Sequence, residues 1–202
     1  MPQARRNKSR AATTNQVRII GGTWRRHTIS FPDVEGLRPT PDRVRETLFN
    51  WLGQTMEGKT CLDLFAGSGA LGFEALSREA RQVVMVERDS LVLRALKENA
   101  QKLGADKLEL VPGDGLEFLK RDRRRFDVIF LDPPFGHGLV QQVLTVADKN
   151  LAQDGLIYVE SEAPIDALFE WDVWRHGKAG NVYYGLLKRS EHADQNSVSG
   201  NI

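Results

Sequence analysis

A chain of 202 residues with 41% hydrophobic and 27% charged residues has the composition of one globular domain with short extensions. Its longest apolar runs, such as 83–86 and 128–131, are too short to cross a bilayer, and the N-terminus has no apolar stretch for a signal peptide. These short runs predict that the chain has no membrane span. A net charge of +1 excludes an overall basic chain. The single cysteine, Cys61, excludes an intramolecular disulfide and predicts a cytoplasmic protein.

The charge is unevenly distributed along the chain. Residues 1–46 contain ten Lys and Arg against four Asp and Glu, a net charge of +6, whereas the remaining residues carry −5. A basic segment on a mildly acidic body favours a polyanionic partner such as nucleic acid, although a solvated tail that only aids solubility has the same composition. Residues 1–16 lack apolar periodicity and are predicted to be a disordered basic tail.

The next segment, 17–40, is predicted to be a hairpin extension. Two short stretches within 17–31 flank Gly21-Gly22, a pair typical of a turn between strands. A helix is then predicted from Pro41, with Thr40 as its N-cap residue and the proline in its first position. Its apolar stripe consists of Val44, Leu48, Trp51 and Leu52.

From residue 60, strands and helices alternate through a domain predicted at 41–188. Strands are predicted at 60–64, 82–86, 108–111, 127–132 and 156–160, and helices at 70–80, 90–103, 116–120 and 138–151. The strands are continuous apolar runs, as expected of parallel strands covered on both faces. An antiparallel pair at 171–175 and 181–187, joined by a turn at 176–180, precedes a disordered tail at 189–202. The predicted fold class is α/β and Rossmann-like, with a mostly parallel seven-stranded sheet, a C-terminal antiparallel pair and the small N-terminal hairpin.

A glycine-rich turn lies where the first of these strands meets the first helix. Gly67, Ser68 and Gly69 allow the backbone to turn sharply and to approach a ligand at a helix N-terminus. Together with Gly72 the spacing is G-x-G-x-x-G, which is the dinucleotide fingerprint but also occurs in turns built for packing. The loop by itself leaves a bound cofactor and a purely structural turn open.

Acidic residues end three consecutive strands. Asp63 precedes the glycine loop, Glu87 ends the second strand and Asp114 follows the third, so all three should lie at one edge of the sheet. Glu87 is suited to accept hydrogen bonds from ribose hydroxyls, whereas Asp63 would repel a pyrophosphate but suits the α-amino group of a methionine moiety. Each acid taken singly could be a surface or capping residue. The three together favour S-adenosylmethionine over NAD.

The fourth strand ends in the motif Asp132-Pro133-Pro134-Phe135. The two prolines remove N–H donors, so the turn presents carbonyl oxygens and a carboxylate that can accept both protons of a planar amino group. Such bonds position a weakly nucleophilic amine for attack on a methyl sulfonium, and the ring of Phe135 can stack on a nucleobase. A rigid strand-exit turn with a core phenylalanine is the structural alternative. Four scattered histidines and the lack of a Cys/His cluster predict no metal site.

With these motifs the chain resembles the class I, Rossmann-like methyltransferases that carry a D/N-P-P-F/Y motif, and more narrowly the bacterial 16S rRNA guanine-N2 methyltransferases of the RsmD family. The narrower resemblance rests on segments 18–25, 37–52, 63–72 and 132–135, and it covers about residues 17–188. It implies methyl transfer from S-adenosylmethionine, with S-adenosylhomocysteine as product and no metal, to the N2 amine of a guanine in 16S rRNA, expected to be guanine 966. It also implies a mainly monomeric, cytoplasmic enzyme of ribosome biogenesis that acts on an assembling or assembled 30S subunit.

The resemblance also implies roles for individual residues. The guanine amine and ring would be held by Asp132, Pro133, Pro134 and Phe135. The cofactor would be bound by Asp63, Phe65, Ala66, Gly67, Ser68, Gly69, Glu87, Arg88, Asp114, Gly115 and Leu116. The rRNA would be contacted by Arg18, Arg25, Arg26, Arg38, Thr40 and Arg43, with segment 38–40 closing over the pocket.

Three other functions stay open at this point. A DNA adenine-N6 or protein glutamine-N5 methyltransferase uses a similar motif. An NAD-dependent oxidoreductase would use the glycine loop, but Asp63, the Pro-Pro turn and the lack of an evident hydride-transfer acid or base argue against it. A non-catalytic RNA-binding protein would need only the basic segment.

Overall fold

Strands and helices alternate from Thr60 onward in the computed structural model, which describes residues 14–134, 138–165 and 171–190. The helices are α1 (Asp42–Trp51), α2 (Ala70–Ser77), α3 (Ser90–Leu103), α4 (Gly115–Arg121) and α5 (Leu139–Leu144), and a short 3-10 helix follows at Ala147–Asn150. The strands are β1 (Thr14–Arg18), β2 (Thr28–Pro32), β3 (Thr60–Asp63), β4 (Gln82–Glu87), β5 (Leu108–Pro112), β6 (Phe126–Leu131), β7 (Leu151–Ser161), β8 (Trp171–Ala179) and β9 (Val182–Arg189).

Seven of these strands form one sheet in the order β5-β4-β3-β6-β7-β9-β8. The pairs from β5 to β7 are parallel, and β9 is antiparallel to both β7 and β8. Apolar residues of α1, α2 and α3 pack on one face of the sheet, and those of α4 and α5 pack on the other. The predicted Rossmann-like α/β fold with a C-terminal antiparallel pair is confirmed. Chain order reverses at β3, which pairs with β4 on one side and β6 on the other, and ligands of such sheets bind at the carboxyl ends of the strands at this point.

The N-terminal hairpin exists, but its turn is not the predicted one. β1 and β2 pair antiparallel from Thr14 opposite Pro32 to Arg18 opposite Thr28. Residues 19–27 therefore form a long connection, and β1 begins three residues before the predicted start of the hairpin at residue 17. Gly21-Gly22 does not form a tight turn between the strands. It allows the chain to pack closely against the end of α2, because a Cβ on Gly22 would lie 1.8 Å from the carbonyl oxygen of Ser77. The Ser77 hydroxyl donates to the Gly21 carbonyl at 2.6 Å, which ties this connection to the end of α2.

The start of α1 also differs from the prediction. Pro41 occupies the N-cap position, Asp42 is the first helical residue, and no side chain caps the helix. Thr40 is buried, and its hydroxyl points to Asp132 instead of the helix N-terminus. The Thr40 side chain, predicted from local sequence to cap the helix, therefore makes a tertiary contact instead.

Two elements in the C-terminal half have other lengths than predicted. The helix expected at 138–151 is divided, because Val146 adopts φ −120° and the Asn150 amide donates to the carbonyls of Asp122 and Arg124 at 3.0 and 3.1 Å. β8 and β9 continue through the turn predicted at 176–180 and are joined at Gly180-Asn181, with Gly180 in the left-handed region at φ +59°. Polar side chains concealed these strand residues because β8 is an edge strand with much of its surface exposed.

The ends of the chain complete the comparison. Cys61 is fully buried in β3, as predicted. No helix in the described part of the chain is long and apolar enough to cross a membrane. The predicted tails, 1–16 and 189–202, fall mainly on residues 1–13 and 191–202, which lie outside the described residues. Their inner ends were predicted wrongly, since residues 14–16 pair in β1 and Arg189 ends β9.

Candidate active site

The glycine loop between β3 and α2 is organised by a carboxylate from the neighbouring strand. Gly67 and Gly69 adopt φ +50° and +79°, in the left-handed region that favours glycine. The backbone N–H of Gly67 donates to Glu87 Oε2 at 2.9 Å, and the N–H of Asp89 donates to Glu87 Oε1 at 2.8 Å. Glu87 therefore holds the loop and the end of β4 together at the carboxyl edge of the sheet.

Asp63 lies beneath this loop and contacts the first turn of α2. Its Oδ2 atom accepts a hydrogen bond from the backbone N–H of Gly72 at 3.0 Å, and the side chain is almost fully buried. Burial raises the pKa of Asp63 to about 7, although the Gly72 N–H favours the charged form and opposes the increase. A Cβ on Gly72 would lie 2.3 Å from Met85 Cε, so the third glycine of the G-x-G-x-x-G spacing packs closely against the sheet.

The end of β5 supplies the third predicted acid. Asp114 is exposed and caps α4, accepting from the backbone N–H of Glu117 at 3.0 Å. Gly115 packs so closely on the exit of β3 that a Cβ would lie 2.6 Å from the Leu64 carbonyl oxygen. The structure thus brings the ends of β3, β4 and β5 to one edge, with a side chain excluded at Gly115.

The Asp132-Pro133-Pro134 turn follows β6 at the same edge. Pro133 is buried, Pro134 is exposed, and Phe135 lies outside the described residues. The Thr40 hydroxyl lies 3.5 Å from Asp132 Oδ2. Burial, the neighbouring carboxylate of Glu160 and that of Asp63 raise the pKa of Asp132 well above its ordinary value, while the Thr40 hydroxyl opposes the increase.

Glu160 and Tyr158 complete this cluster and were missed by the sequence analysis. Leu131 pairs with Val159 in the sheet, so Glu160 stands beside Asp132 at the ends of adjacent strands. The Tyr158 hydroxyl donates to Glu160 Oε1 at 2.8 Å, and burial raises the pKa of Glu160. The rule that selected Asp63, Glu87 and Asp114, an acid at the end of an apolar strand, also fits Glu160.

A short segment before α1 covers the glycine loop and the carboxylates. The Leu37 side chain rests on the loop, since a Cβ on Gly67 would lie 2.9 Å from Leu37 Cδ1. Thr40 follows three residues later and reaches Asp132, as described above, while its carbonyl accepts from Arg45 Nε at 3.0 Å. Of the segment 38–40 predicted to close over the pocket, Thr40 contacts Asp132, and the glycine loop is contacted by the preceding Leu37.

The family described as Conserved hypothetical protein 95 matches residues 17–188, which is most of the chain. The chain belongs to this family. Among the curated relatives, Ribosomal RNA small subunit methyltransferase D of Escherichia coli K12 is 41% identical over 191 residues, covering 91% of this chain and 96% of the relative. The protein of the same name from Haemophilus influenzae is 44% identical over 181 residues, covering 86% of this chain and 94% of the relative.

Solved structures agree with this assignment at the level of the fold. The Escherichia coli protein yhhF has a TM-score of 0.78 at 43% identity, with 87% of this chain and 99% of that chain covered. An RNA methyltransferase from Salinibacter ruber in complex with S-adenosyl-L-homocysteine has a TM-score of 0.63 at 20% identity, with 76% of this chain and 95% of that chain covered. The predicted family and its methyltransferase fold are thereby confirmed.

The basic residues expected to meet RNA are divided between surface and interior. Most of those predicted as RNA contacts are exposed, namely Arg18, Arg25, Arg26, Arg38 and Arg43, whereas Thr40 is buried. Arg45, which contributes to the charge of the N-terminal segment, is fully buried between Glu74 and Asp42 and is not part of a surface. Among the described residues, no group of three or more His, Cys, Asp or Glu side chains could hold a metal ion.

Proposed function

We propose that this protein transfers a methyl group from S-adenosylmethionine to the exocyclic N2 amine of a guanine in 16S rRNA. The observation that carries the proposal is the Asp132-Pro133-Pro134 turn at the end of β6, at the same sheet edge as the glycine loop after β3. Relatives named as small-subunit rRNA methyltransferases supply the substrate class. The N2 atom and the expected position, guanine 966, come from the family resemblance.

The cofactor fits residues at the ends of β3, β4 and β5. The loop of Phe65, Ala66, Gly67, Ser68 and Gly69 allows a ligand to approach the backbone closely, because Gly67 and Gly69 carry no side chain. Acids and their neighbours would hold the remaining parts of the molecule: Asp63, Glu87, Arg88, Asp114 and Leu116. When bound, S-adenosylmethionine supplies a methyl group from a sulfonium and keeps the electron pair of the broken carbon–sulfur bond.

The residues after β6 would bind and orient the amine. The Asp132 carboxylate and the Pro133 carbonyl accept the two N–H bonds, which fixes the nitrogen without competing donors from the proline positions. The nitrogen gains the methyl group and loses one proton, for which Asp132 is the acceptor. The half-buried Asp132 carboxylate has a pKa raised by desolvation and by neighbouring acids, so its ionised form is a stronger base than an ordinary carboxylate, which suits it to this step. Phe135 would stack on the guanine ring.

The exposed arginines of the N-terminal region would contact the rRNA phosphates. Arg25 and Arg26 belong to the connection between β1 and β2, Arg38 lies within the segment that covers the site, and Arg43 lies in α1 just after it. Phosphate contacts of this kind position the nucleic acid without reading its sequence. We further propose that the protein acts as a monomer in the cytoplasm on an assembling or assembled 30S subunit.

The proposal is tested by methylation of 30S particles from cells lacking the modification, followed by mass spectrometry of the rRNA nucleosides. The wild type should produce N2-methylguanosine, and Asp132→Ala should lower the rate by about 10²–10³-fold because an amine acceptor is lost. Asp154→Asn, which changes an exposed acid of β7, is the matched control and should retain the wild-type rate.

Three outcomes would overturn the proposal. Methylation of duplex DNA or of a release-factor peptide, with 30S particles untouched, would replace the substrate. Calorimetry that detects binding of NAD but not of S-adenosylhomocysteine would replace the class of enzyme. A non-catalytic RNA-binding protein would bind the particles without methylating them.

A further inference from the structure

Glu160 lies beside Asp132 at the ends of adjacent strands but has partners of its own. It is 5% exposed, which leaves little of the side chain available to a substrate. The hydroxyl of Tyr158 donates to its Oε1 atom at 2.8 Å, and the Thr40 hydroxyl opposes the increase in the pKa of its carboxyl group. Glu160 is thus an acid fixed by a tyrosine hydroxyl at the end of a strand, beside the residue proposed to hold the amine.

Thr40 connects the two acids. Its hydroxyl lies 3.5 Å from Asp132 Oδ2, and the same hydroxyl opposes the increase in the pKa of Glu160 on the adjacent strand. Thr40 is itself fixed by the buried Arg45, whose Nε donates to the Thr40 carbonyl at 3.0 Å. The orientation of Asp132 is therefore linked to the segment that covers the site.

The charged groups around the pair are mainly acidic. Asp63 faces Asp132 from β3, and Tyr158 and Tyr184 face Glu160 from β7 and β9. The guanidinium of Arg45, on α1, is directed to Asp42, Glu74 and two carbonyls rather than to this pair. A negative charge on Glu160 therefore acts on Asp132 with little compensation from nearby cations in the described residues.

We propose that Glu160, held by Tyr158 at the end of the adjacent strand, is a positioning residue that keeps the Asp132 carboxylate oriented between the Thr40 hydroxyl and the guanine amine. This inference rests on the proposed function. It adds that the second acid determines how well Asp132 accepts the proton that nitrogen releases, without Glu160 touching the substrate.

The direct test is Glu160→Gln, which keeps the size of the side chain and an oxygen that can accept from Tyr158. We expect kcat to fall about tenfold while the KM values for 30S particles and S-adenosylmethionine change less than twofold, because orientation and basicity are lost but binding is kept. The acid limb of kcat/KM should move to lower pH, since removal of a neighbouring negative charge lowers the pKa of Asp132. Carbon-13 titration of the carboxyl groups in the protein without cofactor should show the same shift.

Thr40 provides a second pair of variants. Thr40→Val removes the hydroxyl at almost constant volume and should lower kcat several-fold, whereas Thr40→Ser, which keeps the hydroxyl, should recover most of the rate. Glu162→Gln changes an exposed acid two residues beyond Glu160 and should move neither kcat nor the acid limb.

The outcomes separate this inference from the function on which it rests. If wild-type protein methylates no particle, the proposed function fails. If the wild type is active and Glu160→Gln lowers stability but leaves the acid limb and the Asp132 titration in place, Glu160 is a structural residue and the inference is wrong. Equal rates for Thr40→Val and Thr40→Ser would remove Thr40 from the arrangement.

Discussion

Two largely buried groups of charged residues are built on different principles. The charge network, Arg45, Glu74 and Arg78, joins α1, α2 and the N-terminal hairpin, and Glu74 receives hydrogen bonds from both arginines and from the Ile20 N–H. The carboxylate cluster, Asp63, Asp132 and Glu160, lies at the ends of β3, β6 and β7 and has hydroxyl and amide donors.

The two groups differ in the charge of the side chains that face each buried acid or base. In the charge network each buried charge faces an opposite one, and this pairing offsets the cost of removing ions from water. In the carboxylate cluster like charges face one another, and burial raises the pKa of all three acids. The charge network stabilises the fold, whereas the acids of the carboxylate cluster bind protons more tightly than ordinary carboxylates. Burial alone therefore does not indicate what a charged side chain does.

Removal of Glu74 should have the largest effect on stability. Glu74→Ala leaves two arginines without their shared carboxylate and should lower the free energy of unfolding by about 3–5 kcal/mol, measured by urea denaturation. Glu46→Ala, at an exposed position of α1, should change it by no more than about 0.5 kcal/mol. A loss below about 1 kcal/mol for Glu74→Ala would show that the network is not needed for the fold.

Removal of Asp63 from the carboxylate cluster should change how the free energy of unfolding depends on pH. The folded chain binds the Asp63 proton more tightly than the unfolded chain, with a pKa of about 7 against 3.8, so stability is lost as pH rises between these values. Asp63→Asn removes this dependence. Its free energy of unfolding relative to wild type should rise with pH by at most about 1.4 kcal/mol per pH unit across that window, measured by denaturation at a series of pH values. A constant difference would mean that Asp63 ionises normally.

The smallest effect is expected where the charge network reaches the surface. Arg18 forms an ion pair with Asp42 at 3.0 Å, but their side chains are 59% and 42% exposed. Arg18→Ala should therefore cost about 0.2–1 kcal/mol, and this cost should decline in high salt. A loss comparable to that of Glu74→Ala would place Arg18 within the buried network.

Sequence patterns located most of the fold and part of the candidate site. The α/β alternation, the strands β3 to β6 and the acids that follow them were visible because apolar runs and their ends depend on local sequence alone. Glu160 satisfied the same rule and was overlooked. Its partner Thr40 was assigned to a helix cap, and only the folded chain shows that the Thr40 hydroxyl reaches the end of β6.

Other misreadings have the same origin. Gly21-Gly22 suggested a tight turn, but these glycines make room for the end of α2. Arg45 contributed to a predicted basic surface, but its guanidinium is buried against Glu74, which is 29 residues away in the chain. A residue's local pattern cannot reveal a partner that is distant in sequence.

The sequence by itself determined the order of the strands and helices, the glycine loop and the Asp132-Pro133-Pro134 turn, since each depends on periodicity or on the backbone limits of glycine and proline. It also placed the chain in its family. Only the tertiary structure decided which charges are buried together, because parallel pairing in the sheet sets Asp132 beside Glu160 and the packing of α1 brings Thr40 to both. That proximity in a low-dielectric interior, and not the identity of any one residue, raises the affinity of these acids for protons.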